Sequence, residues 1–290
     1  MGHMVPPSCL SSASPGGGDP LARLKRNSIA ADRSDSSNAS AIDRAFSGLL
    51  VVTQLAADHA QNWKAQHGLI LSTSAVAVAE DYFRTLLTEV ANVCPLCMDL
   101  VRPLDTQIEY VISGSVSDAL RASLDRTSFS SAGAVKEWTK KITGLDIKGR
   151  SSLTVELASF ELVCHVRHCA IHAGGYVAAH NAKVLDLPIG SWISFDTPGA
   201  IHDIVAIVAA TIRAFNQLLF EHILSRWIDE DILTGQWADD REMFSVLWKT
   251  FCSRSDIESA RLQGQPLRLN AYHVHQSMQR MLRARHASLG

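Results

Sequence analysis

This sequence has no long apolar run. Its longest stretches, such as 204–210, fall well short of the roughly 18 residues that a membrane span needs. A membrane partner is therefore not expected. Cysteine is scarce: Cys9, Cys94, Cys97, Cys164, Cys169 and Cys252, irregularly spaced, are too few for a disulfide scaffold. No basic segment leads into an apolar run near Met1, so no export signal is read. Free thiols in a reducing, cytoplasmic compartment are the expectation. With 17 glycines and 9 prolines, collagen-like and wholly disordered chains are excluded. Charge of one sign is lacking too. The formal net charge of −2 gives no overall basic field to draw nucleic acid or membrane. Any nucleic-acid chemistry must come from a local patch.

What is present is apolar material. Of 290 residues 47% are hydrophobic, enough for one generous core, or one core and a small appendage. Met1-Gly2-His3-Met4 reads as a cloning remnant. From Val5 to about Asn38 the chain is rich in Ser, Pro and Gly and cannot bury enough surface to offset ordering, so 1–38 is expected to be a disordered tail.

Helical periodicity starts near Ala39 and runs to about Gln66, with Ala45, Leu49, Leu50, Thr53 and Leu55 at three- and four-residue spacing. Gly68 is expected to break it. A second helix is predicted from Leu69 to Val93 and stopped by Pro95. A weaker third covers Thr106 to Leu124, and a short one Ser131 to Thr143, ended by Gly144. Ser152 to Ala173 is a strong helix closed by Gly174 and Gly175. Val184 to Pro198 reads as a loop with short strands near Trp192-Ile193-Ser194-Phe195. Pro198 opens a long helix to about Trp227, and shorter helices are predicted over Asp239–Phe251 and Ala271–Arg285. The expected class is all-α: a helical bundle over 39–227 with a small helical extension over 228–290. That extension is acidic at first (Asp229, Glu230, Asp231, Asp239, Asp240, Glu242), then basic (Arg261, Arg268, Arg280, Arg283, Arg285). Its two halves read as a solvated, mutually balancing surface, or as a basic end that approaches phosphates.

The chemistry concentrates in Cys164-His165-Val166-Arg167-His168-Cys169-Ala170-Ile171-His172. An apolar helix does not bury such groups unpaired, so they are expected to face a cleft or interface. At about 100° per residue, His168 and His172 share a face, and Arg167 lies about 140° from His172 with His168 between them. A titratable imidazole and a fixed cation on one patch suit phosphodiester cleavage by a neighbouring 2′-hydroxyl. Such a site needs no metal or other cofactor.

Arg167, a polar residue after it (His168), three intervening residues, His172 and a Gly-containing turn resemble the R-x4-H motif of HEPN-domain ribonucleases. The stretch Ala79–Leu87, with Glu80 and Asp81 in an apolar helix, resembles that family's first core helix. The helix after Pro198 resembles its closing helix. The likeness covers about Ala45 to Trp227. It implies an HEPN-like bundle that forms a homodimer with the motif helices meeting at the two-fold. It also implies metal-independent RNA cleavage to 2′,3′-cyclic phosphate and 5′-hydroxyl ends. Carried over, His172 is the acid/base, Arg167 stabilises the phosphate, His168 orients or assists, and Glu80 holds the Arg167 guanidinium. The setting implied is bacterial toxin–antitoxin or anti-phage defence, with an antitoxin or defence-system partner. Ala173 stands where a small polar residue is frequent in the family. Gly174 stands where toxins modified on tyrosine carry the H-x-Y tyrosine, so control by tyrosine modification is not expected.

Other readings compete for the same residues. Cys164, His168 and His172, four apart, have zinc-like spacing, but the helix lacks the Glu of a metalloprotease motif. A non-catalytic HEPN module for RNA or protein binding and dimerisation is the main alternative. Cys94-Pro95-Leu96-Cys97 reads as a helix end with two buried thiols, since no thioredoxin-like setting surrounds it. Lys140, Lys141, Lys148 and Arg150 form a modest basic patch, either a guide for RNA or a solvated surface.

Overall fold

The computed structural model describes residues 39–102, 116–149, 151–264 and 270–278. The tail over 1–38, Arg150 and the basic residues Arg268, Arg280, Arg283 and Arg285 lie outside the described residues. The described chain is all-α, with no strand. In place of the short strands expected near Trp192 there is one isolated bridge, Tyr176 to Trp192.

Four long helices make the bundle: α1 (Ala41–Asp58), α2 (Ala65–Val93), α6 (Ser152–Ala173) and α8 (Gly199–Asp229). Between them lie α3 (Pro95–Val101), α4 (Val116–Asp125), α5 (Ala132–Thr143) and α7 (Ala179–Leu185); α9 (Trp237–Phe251) and α10 (Arg254–Leu262) follow. Helix α2 is central and packs on α1, α6 and α8. Its Phe83, fully buried, meets Phe215 of α8 at 5.0 Å and Phe160 of α6 at 5.9 Å between ring centroids. Edge-to-face contacts of this kind fix how the motif helix α6 sits on the core.

The ends of α6 follow from local chemistry. The Ser151 hydroxyl accepts from the Thr154 N–H, which satisfies one of the free donors of the first turn. Gly174 (φ 56°) and Gly175 (φ 101°) then take the left-handed conformations that end the helix. Ser131 and Gly144 do the same for α5.

Three expectations are corrected. The first helix ends at Asp58, not near Gln66, and a 3₁₀ turn over Ala60–Asn62 leads into α2. Gly68 does not break a helix but lies buried inside α2. Its bare Cα lets Phe195 approach: a Cβ there would sit 2.3 Å from the Phe195 Cβ. Trp63 donates to the Phe195 carbonyl at 2.6 Å and pins the same loop. Third, 179–185 forms α7 where loop was expected from Val184, and α10 was not foreseen. Gly68→Ala normally gains about 1 kcal/mol in a helix. Here it is expected to lose ~1–3 kcal/mol through overpacking against Phe195, measured by urea unfolding.

Helix α8 alone among the described helices is long and apolar enough to cross a membrane by length and composition. In this fold it lies in the bundle, packed on α1, α2 and α6. Helix α9 packs on α1, α2 and α8, and the helical stretch 271–278 presents the buried His275 to it. The CxxC segment bends from α2 into α3 with both thiols free and buried, as read from sequence. Hydrogen bonds from Cys97 and from Trp227 Nε1 (3.2 Å) lower the Cys94 thiol to about 6.

Candidate functional site

Residues 161, 165, 168 and 172 fall on one stripe of α6, by the three- and four-residue spacing of helical neighbours. Along it stand Glu161, His165, His168 and His172. His168 and His172 are exposed, and their rings pack at 4.6 Å between centroids. Partial burial, then the charges of His172, His165, His180 and Arg167, lower the His168 pKa from the ordinary histidine value. The imidazole is therefore biased toward its neutral form.

Arg167 leaves this stripe for the α2 side. Its Nη2 lies 3.9 Å from Glu80 Oε2, a half-buried ion pair. Glu80 is itself held: its Oε1 accepts from the Phe129 N–H at 2.8 Å and from the Ser128 hydroxyl at 2.9 Å. One carboxylate thus ties α2 to the loop before α5 and gives Arg167 a fixed counter-charge. The expected pairing of Glu80 with Arg167 is present as an ion pair, not as a tight two-pronged hydrogen bond. Arg167 pairs with Glu80 and with neither histidine, although its charge acts on His168.

Beside His168 opens a cavity of about 240 Å³. Its lining is Ser130, Ser131, Glu161, Cys164, His165, His168 and His180. His165, nearly buried, joins Asn181 through Nδ1 at 2.8 Å, and its ring packs on His180 at 5.1 Å. Its Nε2 faces Glu161 Oε1 at 3.6 Å. The other oxygen of Glu161 accepts from the Ala132 N–H at the start of α5. Sequence reasoning missed Glu161, His180 and Asn181. The Glu161–His165 spacing of four was a signal for the first. The other two come from α7, which the reading from sequence left out.

The basic patch is locally balanced. Lys140 and Lys148 share Asp146, at 2.7 and 2.5 Å, and Lys141 pairs with Glu137 at 2.6 Å while lying over the Trp138 ring. Among the described residues no group of three or more His, Cys, Asp or Glu side chains is disposed to hold a metal ion. Cys164, the third member of the zinc-like spacing, is buried, and burial pushes its thiol pKa well up. A metal ligand needs the thiolate, which that shift disfavours.

No protein-family model, no curated protein and no solved structure matches this chain.

Proposed function

We propose that this chain is a metal-independent endoribonuclease of HEPN type, with an HEPN-like bundle. One observation carries the reading. A guanidinium anchored by Glu80 stands one and five residues before two exposed, mutually packed imidazoles, His168 and His172, at the end of a single helix. In the reaction, the 2′-hydroxyl oxygen bonds to phosphorus as its proton passes to an imidazole. The P–O5′ bond breaks, and O5′ takes a proton from an imidazolium. The products are a 2′,3′-cyclic phosphate and a 5′-hydroxyl. His172 is the acid/base, and the exposed ring packed on it, His168, orients it. Arg167 stabilises the negative charge that builds on the phosphorane oxygens, and Glu80 keeps its guanidinium in place.

The working unit in this reading is a homodimer. Val155 and Leu162, 64% and 44% exposed on α6 itself, supply apolar surface next to the polar stripe. The same surface also favours the second reading, a non-catalytic HEPN module that binds RNA or protein. A cytoplasmic role in bacterial toxin–antitoxin or anti-phage defence, with an antitoxin or defence-system partner, fits the endoribonuclease and rests on the family resemblance alone.

The deciding experiment incubates purified protein with total RNA in EDTA and maps the ends. Cyclic-phosphate ends that disappear in Arg167→Ala are expected. Intact RNA, or cleavage that persists in that variant, leaves the non-catalytic module as the better reading.

A further inference from the structure

The cavity beside His168 has features that the cleavage chemistry leaves unused. At about 240 Å³ it is smaller than the roughly 300–1,000 Å³ typical of drug-sized sites. That is the scale of one heteroaromatic ring. One wall is an imidazole pair, His165 packed on His180, with His180 exposed. Such ring faces are stacking platforms for bases.

The polar wall is more selective. Asn181 Oδ1 is an acceptor, so the 2.8 Å contact makes His165 Nδ1 the donor. In the neutral ring Nε2 is then a lone-pair acceptor. It faces Glu161 Oε1, a second acceptor, 3.6 Å away. The other Glu161 oxygen is committed to the Ala132 N–H. Two acceptors at that separation are satisfied together by one –NH2 group, whose two hydrogens point to one acceptor each. A carbonyl oxygen in the same place would meet lone pairs from both sides.

We propose that this cavity is a nucleobase subsite for a base bearing an exocyclic amino group, such as cytosine or adenine, and that it excludes uracil. The proposal rests on the ribonuclease reading and names the substrate feature next to the scissile phosphate. Ser130 and Ser131 offer hydroxyls to the rest of the base edge, and His168 joins the subsite to the reacting groups. A site built to pair an N–H discriminates strongly against an analogue without it, because its own acceptors are left unpaired.

The test uses 2′-deoxy trinucleotides, which bind but lack the attacking hydroxyl. Two differ only in a central cytosine or uracil. Calorimetric titration of the full chain is expected to show at least ~10-fold tighter binding of the cytosine oligomer, a fraction of the limit for a fully enclosed site. Glu161→Gln can keep an oxygen on the Ala132 N–H while its amide NH2 replaces the second acceptor. It is expected to abolish or reverse the preference with an unchanged circular dichroism spectrum. Equal binding of the two oligomers, no binding of either, or a preference that survives Glu161→Gln in folded protein overturns the subsite.

Cleavage assays separate the two ideas. Selective binding without RNA cleavage sinks the nuclease and leaves the subsite standing. Arg167-dependent cleavage with no preference between cytosine and uracil sinks the subsite alone.

Discussion

Replacing His172 by alanine is expected to lower the rate of RNA cleavage by ~10²–10⁴-fold, the usual contribution of a positioned acid/base. Stability should hardly move. His172 is exposed, and surface changes of that kind usually stay within about 0.5 kcal/mol. Arg167→Ala should cost a comparable ~10²–10³-fold, because in the proposed reaction it removes the group that meets charge in the transition state. Arg167→Lys should recover little, since an ammonium does not reproduce the planar fork. Neither loss should appear as weaker substrate binding alone: kcat falls with kcat/KM.

The histidines also make a spectroscopic prediction with a definite sign. In the wild-type chain the His168 pKa is lowered, first by partial burial and then by the charge of His172. Removing His172 removes a coulombic influence that lowers the His168 pKa, so His168 should titrate at higher pH in His172→Ala, toward its ordinary value. Side-chain NMR titration reads this directly. A His172→Ala protein that keeps cleaving at near wild-type rate, or a His168 titration that does not move upward, contradicts the assigned roles.

How much of this was legible beforehand depends on the range of the deciding interaction. The limits of α6 were readable because its apolar pattern starts just after Ser152 and because Gly174 and Gly175 act on their own helix end. The pairing of Arg167 with Glu80 was legible only through the family resemblance, together with the affinity of a carboxylate for a guanidinium. Gly68 was misread because its neighbour, Phe195, belongs to a distant loop, and no local pattern reports that contact. The lysine patch looked free because Asp146, which serves both Lys140 and Lys148, was not counted with them. The cavity beside His168 needed α7 to bring His180 to its wall and Asn181 onto His165 Nδ1, and a seven-residue helix carries little periodic signal.

Asp240 shows the same limit with the largest energetic consequence. In sequence it belongs to an acidic run that reads as solvated. In the fold it is 2% exposed and accepts from Thr234 N–H (2.8 Å), Thr234 hydroxyl (3.0 Å), Gly235 N–H (2.9 Å) and His275 Nε2 (2.7 Å). His275, fully buried, has Nδ1 without a hydrogen-bond partner and sits against the rings of Trp237 and Phe244. Among the described residues Asp240 is thus the only hydrogen-bond partner of its ring. Asp240→Ala strands that imidazole and the turn before α9 at once. Breaking one side of a buried pair costs about 3–5 kcal/mol, and urea unfolding at neutral pH should show a loss of that order. Asp240→Asn, which keeps an oxygen for the turn, should lose less.

The pH dependence follows from the direction of the Asp240 shift. Burial alone would raise its pKa, but the donations from His275, Thr234 and Gly235 outweigh it and leave the carboxyl below its ordinary 3.8. A carboxyl with a depressed folded pKa stabilises the fold fully above its unfolded pKa. That contribution is lost as pH falls through the folded value. The wild-type advantage over Asp240→Asn should therefore be complete at neutral pH and shrink only below about pH 4, near the unfolded carboxyl value. A loss under 1 kcal/mol for Asp240→Ala, or an advantage that decays well above that pH, means the carboxylate does not fasten the 271–278 stretch to the bundle.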